Sequence, residues 1–128
     1  MRTRFYVALF AAMLLAGSAR LVAHHSFSAF NTETEKTITG TVNRFEWTNP
    51  HTWVWVDVTE NGKTVTWGVE GMSPNYLSRR GWSKNTFKPG DTITVDFSPA
   101  RDGSRTGLTT RVTLADGTVL SQVSPGAL

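Results

Sequence analysis

Apolar and polar residues alternate with a period of two in short runs through most of the chain, the pattern of strands that bury one face. In residues 37–45, Ile38 and Val42 fall on one side and Thr37, Thr39 and Thr41 on the other. Thr48-Asn49-Pro50 ends that strand. Residues 53–58 (WVWVDV) place Val54, Val56 and Val58 on one side and Trp53, Trp55 and Asp57 on the other. Glu60-Asn61-Gly62-Lys63 then reads as a hairpin turn, because Asn-Gly adopts the positive φ that tight hairpins require. Residues 63–70 return with Val65, Trp67 and Val69 facing inward, which completes a three-stranded meander.

One short helix is predicted over residues 73–81. Ser73 is its N-cap, Pro74 occupies the first helical position, Gly81 closes the C-terminus, and Arg79 and Arg80 complement the negative end of the dipole. Phe87-Lys88-Pro89-Gly90-Asp91 forms a turn into a fourth strand, 92–97, with Ile93, Val95 and Phe97 alternating against Thr92, Thr94 and Asp96. After a loop over 99–105, a fifth strand is expected at 107–114. Asp116-Gly117 is a turn, and 118–123 a return strand. Three meandering strands, a helix and two further strands is the order of a small all-β barrel of the OB type, five- to six-stranded, with an open β-sandwich as the competing fold.

With 128 residues there is room for one domain. Arg2 and Arg4 precede an apolar run over residues 5–16 and the small residues Gly17, Ser18 and Ala19, the pattern of a secretory signal peptide. Arg20 interrupts that run well short of the roughly 20 apolar residues a spanning helix needs, and no later stretch spans a membrane. Cleavage after Ala19 or after Ala23 fits local rules; the second would leave residues 24–128 as a single barrel domain beginning at His24, in a periplasmic or secreted location. The absence of cysteine excludes disulfides, thiolate metal sites and thiol catalysis. The formal net charge is +3, but Arg2, Arg4 and Arg20 all lie in the leader, and the remaining ten basic residues balance ten acidic ones. That balance argues against a nucleic-acid partner.

Two groups of residues carry candidate chemistry. His24, as a mature N-terminus, offers its amine and ring to one ion. With His25, and with His51 as a third imidazole, it would form a copper histidine brace, to which Met72 adds a soft thioether and Glu70 or Glu46 a hard oxygen. The plainer reading leaves His24 and His25 in a solvated terminus and His51 bonded to a backbone carbonyl. Five tryptophans follow the leader: Trp47, Trp53, Trp55, Trp67 and Trp82. If the valines of 53–58 line the core, Trp53 and Trp55 stand outside it, with Trp47 nearby, as a platform for a ligand or a partner surface. Alternatively Phe27 and Phe30 of the N-terminal arm, or the C-terminal return strand, cover them as a second small core, the reading we favour because exposed tryptophan pairs are rare. Arg79, Arg80, Arg101, Arg105 and Arg111 read as solvated surface. No nucleophile–base set or phosphate-cradling loop is present. A binding protein with no catalytic residue is therefore expected, holding a small ligand, a metal ion or an envelope protein. Copper is its one candidate cofactor. A copper-dependent oxidative enzyme using the same brace ranks last.

The strings His24-His25-Ser26-Phe27, Gly40-Thr41-Val42, Trp47-Thr48-Asn49-Pro50-His51, Ser73-Pro74-Asn75, Arg79-Arg80-Gly81-Trp82 and Lys88-Pro89-Gly90-Asp91 resemble domain-of-unknown-function family 6152, small exported bacterial proteins. The resemblance spans nearly all of the chain after the leader. It implies export, and cleavage directly before the paired histidines, after Ala23. It implies no activity, ligand or catalytic residue.

Overall fold

A computed structural model describes residues 27–122. Among the described residues the strands β1 (Lys36–Glu46), β2 (Trp53–Glu60), β3 (Lys63–Glu70), β4 (Thr92–Pro99), β5 (Thr106–Leu114) and β6 (Val119–Ser121), with a helix, α1 (Pro74–Ser78), between β3 and β4, follow in the order the alternation predicts. The sheet runs β3-β2-β1-β4-β5-β6, and a parallel pairing of β3 with β5 closes the first five strands into a barrel. This is the OB architecture with one added strand, and the open sandwich is not what forms. Asn61 and Gly62, at φ 50° and 77°, make the β2–β3 hairpin, so β2 and β3 pair without interruption from Trp53↔Glu70 to Glu60↔Lys63.

The inward valines are where the alternation puts them. Val54, Val56 and Val69 are buried together with Val42, Ile93, Val95, Phe97 and Val112, and full burial of each such side chain contributes about 1.5–3 kcal/mol. Leu77 of α1, Trp82 and Phe87 join the same core, and Trp67 packs partly into it, 5.3 Å from Phe97. Helix α1 is shorter than its sequence signals. Ser73 caps it by accepting the Tyr76 N–H, Arg79 is the C-cap, and Gly81 (φ 84°) turns the chain two residues later. Arg80 does not sit in the last helical turn; its guanidinium stacks 3.7 Å from the Tyr76 ring. Arg111 is likewise not simply solvated: β4–β5 pairing sets it opposite Asp96, to which it donates through Nε at 2.7 Å and Nη2 at 2.6 Å. Those bonds to Asp96 raise the Arg111 pKa.

The N-terminal arm goes elsewhere than expected. Phe30 is 5 % exposed, but it bridges Ala100, while Asn31 N–H donates to the Pro99 carbonyl and Arg101 N–H to that of Ala29. The arm is thus stitched to the end of β4 by backbone bonds, and Phe27 is left 45 % exposed. The second small core over Trp53 and Trp55 is not built from it.

Candidate functional site

Because Val54 and Val56 point inward, Trp53, Trp55 and Asp57 point out of the barrel from β2. Trp53 and Trp55 stack, with ring centroids 5.7 Å apart and planes 20° from parallel. Both are half-buried. Trp55 is fixed on three sides. Its Nε1–H donates to Glu46 Oε1 at 2.9 Å, the Arg44 guanidinium lies 4.1 Å over its ring, and its six-membered ring lies against the backbone of Gly68. A Cβ at Gly68 would stand 2.8 Å from Trp55 Cζ3, so glycine there is a condition of the close approach. Arg44 Nε also donates to Glu46 Oε1, at 2.9 Å.

Arg44 reaches this face through an irregularity in β1. Strict alternation from the buried Val42 would turn Arg44 into the core. The register instead shifts between Val42 and Arg44, so Val42 pairs with Val56 and Arg44 with Trp55. The extra residue in the bulge places Arg44 on the outer face. Asn43, inside the bulge, donates to Asp57 Oδ2 at 2.9 Å, and Thr66 donates to Oδ1 at 2.7 Å. These two bonds, that of Asn43 foremost, hold the Asp57 carboxyl below its ordinary pKa. Sequence reasoning placed Trp53 and Trp55 but missed Arg44 and Gly68, because a bulge leaves no mark in the alternation.

At the β1–β2 loop, a cis Asn49-Pro50 bond precedes His51. His51 Nδ1 lies 3.1 Å from the Gly71 carbonyl oxygen and 3.3 Å from Glu70 Oε1. A carbonyl only accepts, so Nδ1 carries the proton in that bond, as the plainer expectation for His51 has it. Thr52 N–H and Oγ1–H both donate to the Met72 carbonyl, and Gln122 Oε1 accepts the Met72 N–H. Met72 therefore serves this corner through its backbone, and its side chain packs against the core. Trp47 also packs against the core, in an edge-to-face chain with Phe45 (5.7 Å), Phe87 (5.0 Å from Phe45) and Trp82 (5.5 Å from Phe87). His24 and His25 lie outside the described residues, and among those described no three His, Cys, Asp or Glu side chains gather as a metal-ligating group.

A family model described as a family of unknown function (DUF6152) matches residues 11–111. The chain belongs to that family. Among curated proteins none matches. Two crystal forms of the mitochondrial single-stranded DNA binding protein Rim1 from S. cerevisiae are similar in structure. One has a TM-score of 0.51 at 8 % identity, over 72 % of this chain and 98 % of that one. The other has 0.49 at 13 % identity, over 64 % and 94 %. At such identity the first of these likenesses establishes the fold alone. It also corrects the exclusion of nucleic acid drawn above from charge balance: a single-stranded DNA binding protein shares this barrel. A charge summed over a whole body does not report the character of one face.

Proposed function

We propose that this DUF6152 protein is an exported ligand-binding protein without catalytic activity, and that its ligand sits on the outer face of β2 and β3. The observation that carries the reading is the Trp53/Trp55 stack, half-buried and pinned in place by Arg44, Glu46 and Gly68 on the strand pair that OB barrels use for ligands. A rigid aromatic pair contributes large apolar area at little entropic cost to whatever lies on it. The leader at residues 1–23 supports export, and among the described residues no helix is long and apolar enough to cross a membrane. An envelope protein docking on the same tryptophans is the form this reading takes if the ligand is macromolecular.

The test is a titration of the mature protein with oligosaccharides, oligonucleotides and peptides, read on the tryptophan indole N–H resonances. A ligand of this face shifts Trp53 and Trp55 and leaves the buried Trp82 in place, and the Trp53→Ala/Trp55→Ala variant loses the binding. Equal binding by that variant refutes the reading.

Copper at His24, His25 and His51 is a second reading, and one observation favours it. With Nδ1–H engaged by Gly71 and Glu70, the His51 ring presents Nε2 as its lone-pair nitrogen, the orientation that outer partners impose on metal-ligating histidines. Mature protein with a free His24 should then bind one Cu(II), and His51→Ala or a residue added before His24 should weaken it. Unchanged affinity in either variant removes copper from the account.

A further inference from the structure

Charge is unevenly placed along this chain. Residues 71–90 hold four of the ten cations that follow the leader, Arg79, Arg80, Lys84 and Lys88, and none of the ten acids. Six cations face ten acids on the rest of the body, so a neutral total conceals one positive segment and a negative remainder.

The fold gathers that segment over one end of the core. Leu77, Trp82 and Phe87 are its buried anchors, at 0 %, 3 % and 3 % exposure, and the Trp82 and Phe87 rings meet at 5.5 Å. The cations fall in the intervals between these anchors and directly after the last. In the first interval the Leu77 carbonyl accepts the N–H of both Arg80 and Trp82, which folds it into a tight turn. The second is closed by Ser83 N–H donating to Thr86 Oγ1 and Thr86 N–H donating to the Ser83 carbonyl. Arg79, Lys84 and Lys88 are left exposed. None of the three enters an ion pair among the described residues, whereas Arg44, Arg105 and Arg111 each hold a carboxylate. Arg80 lies over the Tyr76 ring. Asp91 and Asp116 mark the border of this cap: they line a cleft with Thr86, and each turns a carboxylate oxygen to a backbone N–H, of Lys88 and of Thr118.

Four clustered cations are complementary to an array of phosphates, as presented by a single strand of nucleic acid or by a phospholipid surface. Proteins hold single strands by interleaving cations with open aromatic rings. Here the rings of the segment are already engaged, since Trp82 and Phe87 are buried and Arg80 covers Tyr76. The large apolar side chains that are exposed among the described residues, Phe27 and Val119, also lie outside the segment, so the cap carries nothing to insert into hydrocarbon. Exposed cations without a stacking ring suit a flat array of lipid headgroups.

We infer that the α1 cap, formed by Arg79, Arg80, Lys84 and Lys88, is a docking surface for an anionic phospholipid bilayer. It holds the protein by charge, with the cap towards the headgroups, because the negative remainder of the body is repelled by the same surface. The inference is independent of the ligand face on β2 and β3.

The experiment is co-sedimentation of the mature protein with vesicles of phosphatidylglycerol and phosphatidylcholine in equal parts, with phosphatidylcholine alone as the neutral surface. Each Lys or Arg near an anionic leaflet raises partitioning about 5-fold. The anionic vesicles should therefore bind the protein at low ionic strength and release it at about 1 M salt, where the screening length is about 3 Å. Arg79→Gln/Lys84→Gln/Lys88→Gln should lose about 100-fold in partitioning. Lys36→Gln/Lys63→Gln/Arg101→Gln removes the same charge from exposed positions elsewhere and should lose far less. Both variants alter exposed side chains only, so the fold is kept, which circular dichroism checks. The docking surface is overturned by failure of anionic vesicles to bind, by binding that survives high salt, by equal binding to neutral vesicles, or by equal losses in the two variants. A single-stranded oligonucleotide that binds through the cap where anionic vesicles do not overturns it as well, and assigns the cap to nucleic acid.

Discussion

Adding one methyl group at Gly68 tests whether the tryptophan platform is held or merely resting. In Gly68→Ala the new Cβ would lie 2.8 Å from Trp55 Cζ3 and 3.1 Å from two further ring atoms, so the indole must move. In an unencumbered strand the substitution would stabilise, since alanine loses about 0.5–1 kcal/mol less conformational freedom than glycine on folding. Here, displacing the ring disturbs three contacts at once. The Nε1–H bond to Glu46 is worth about 1.5 kcal/mol with a charged acceptor, the Arg44 stacking about 0.5–1, and the Trp53 stacking about 0.5–1.5. A full loss is roughly 2.5–4 kcal/mol, and subtracting the entropic gain leaves a destabilisation of about 2–3 kcal/mol. For a domain of this size that corresponds to a fall in Tm of roughly 10–20 °C. Urea denaturation and calorimetry read the stability, and the exciton band of the stacked tryptophans in circular dichroism reads the geometry. In a Trp55→Ala background the same glycine substitution should be neutral or stabilising, and the difference between backgrounds is the coupling energy of the contact. A stabilised Gly68→Ala with an intact exciton band would refute the claim that Trp55 is pinned.

Three other outcomes follow from the fold. Leu77→Ala removes a fully buried side chain from the α1 end of the core and should cost about 2–5 kcal/mol in urea denaturation. Gly62→Ala places a Cβ at φ 77° in the β2–β3 turn and should lower stability by about 1–2 kcal/mol without touching the platform, so the exciton band persists. Asp57, Asp102 and Asp116 all have carboxyl pKa values lowered by hydrogen bonds, from Asn43 and Thr66, from Ser104 and from Thr118 respectively. Their contribution is complete above the ordinary carboxyl pKa near 3.8 and is lost as pH falls from there through the depressed values, so an acid titration of stability should drop below about pH 4, and less steeply in Asp57→Asn.

The barrel was largely legible because its determinants are local. Alternation in β2, β3 and β4 assigns the inward residues, Asn61-Gly62 sets the register of a whole hairpin, and Ser73-Pro74 starts the helix. The site was legible only in part. Trp53 and Trp55 emerge from the same alternation, but Arg44 is carried to them by a bulge, and Gly68 becomes critical only through a neighbour thirteen positions earlier. The arm's destination at Ala100 rests on backbone bonds between distant segments, which no side-chain pattern encodes. Trp47 could not be told from Trp53 by composition. One packs beside Phe45 against the core and the other faces outward, because Trp47 comes at the end of one strand and Trp53 opens the next.

Closure of the barrel depends on a short zip. Gly68↔Thr106, Val69↔Gly107 and Glu70↔Leu108 are the whole parallel junction between β3 and β5, whereas the antiparallel β2–β3 ladder runs for eight pairs. Local opening is cheapest where fewest bonds must part, so the cylinder should breathe along this line, uncovering two strand borders and the flank of the tryptophan face together. Amide protons such as that of Gly68, bonded to the Arg105 carbonyl across the junction, would then exchange with solvent faster than those in the middle of β2.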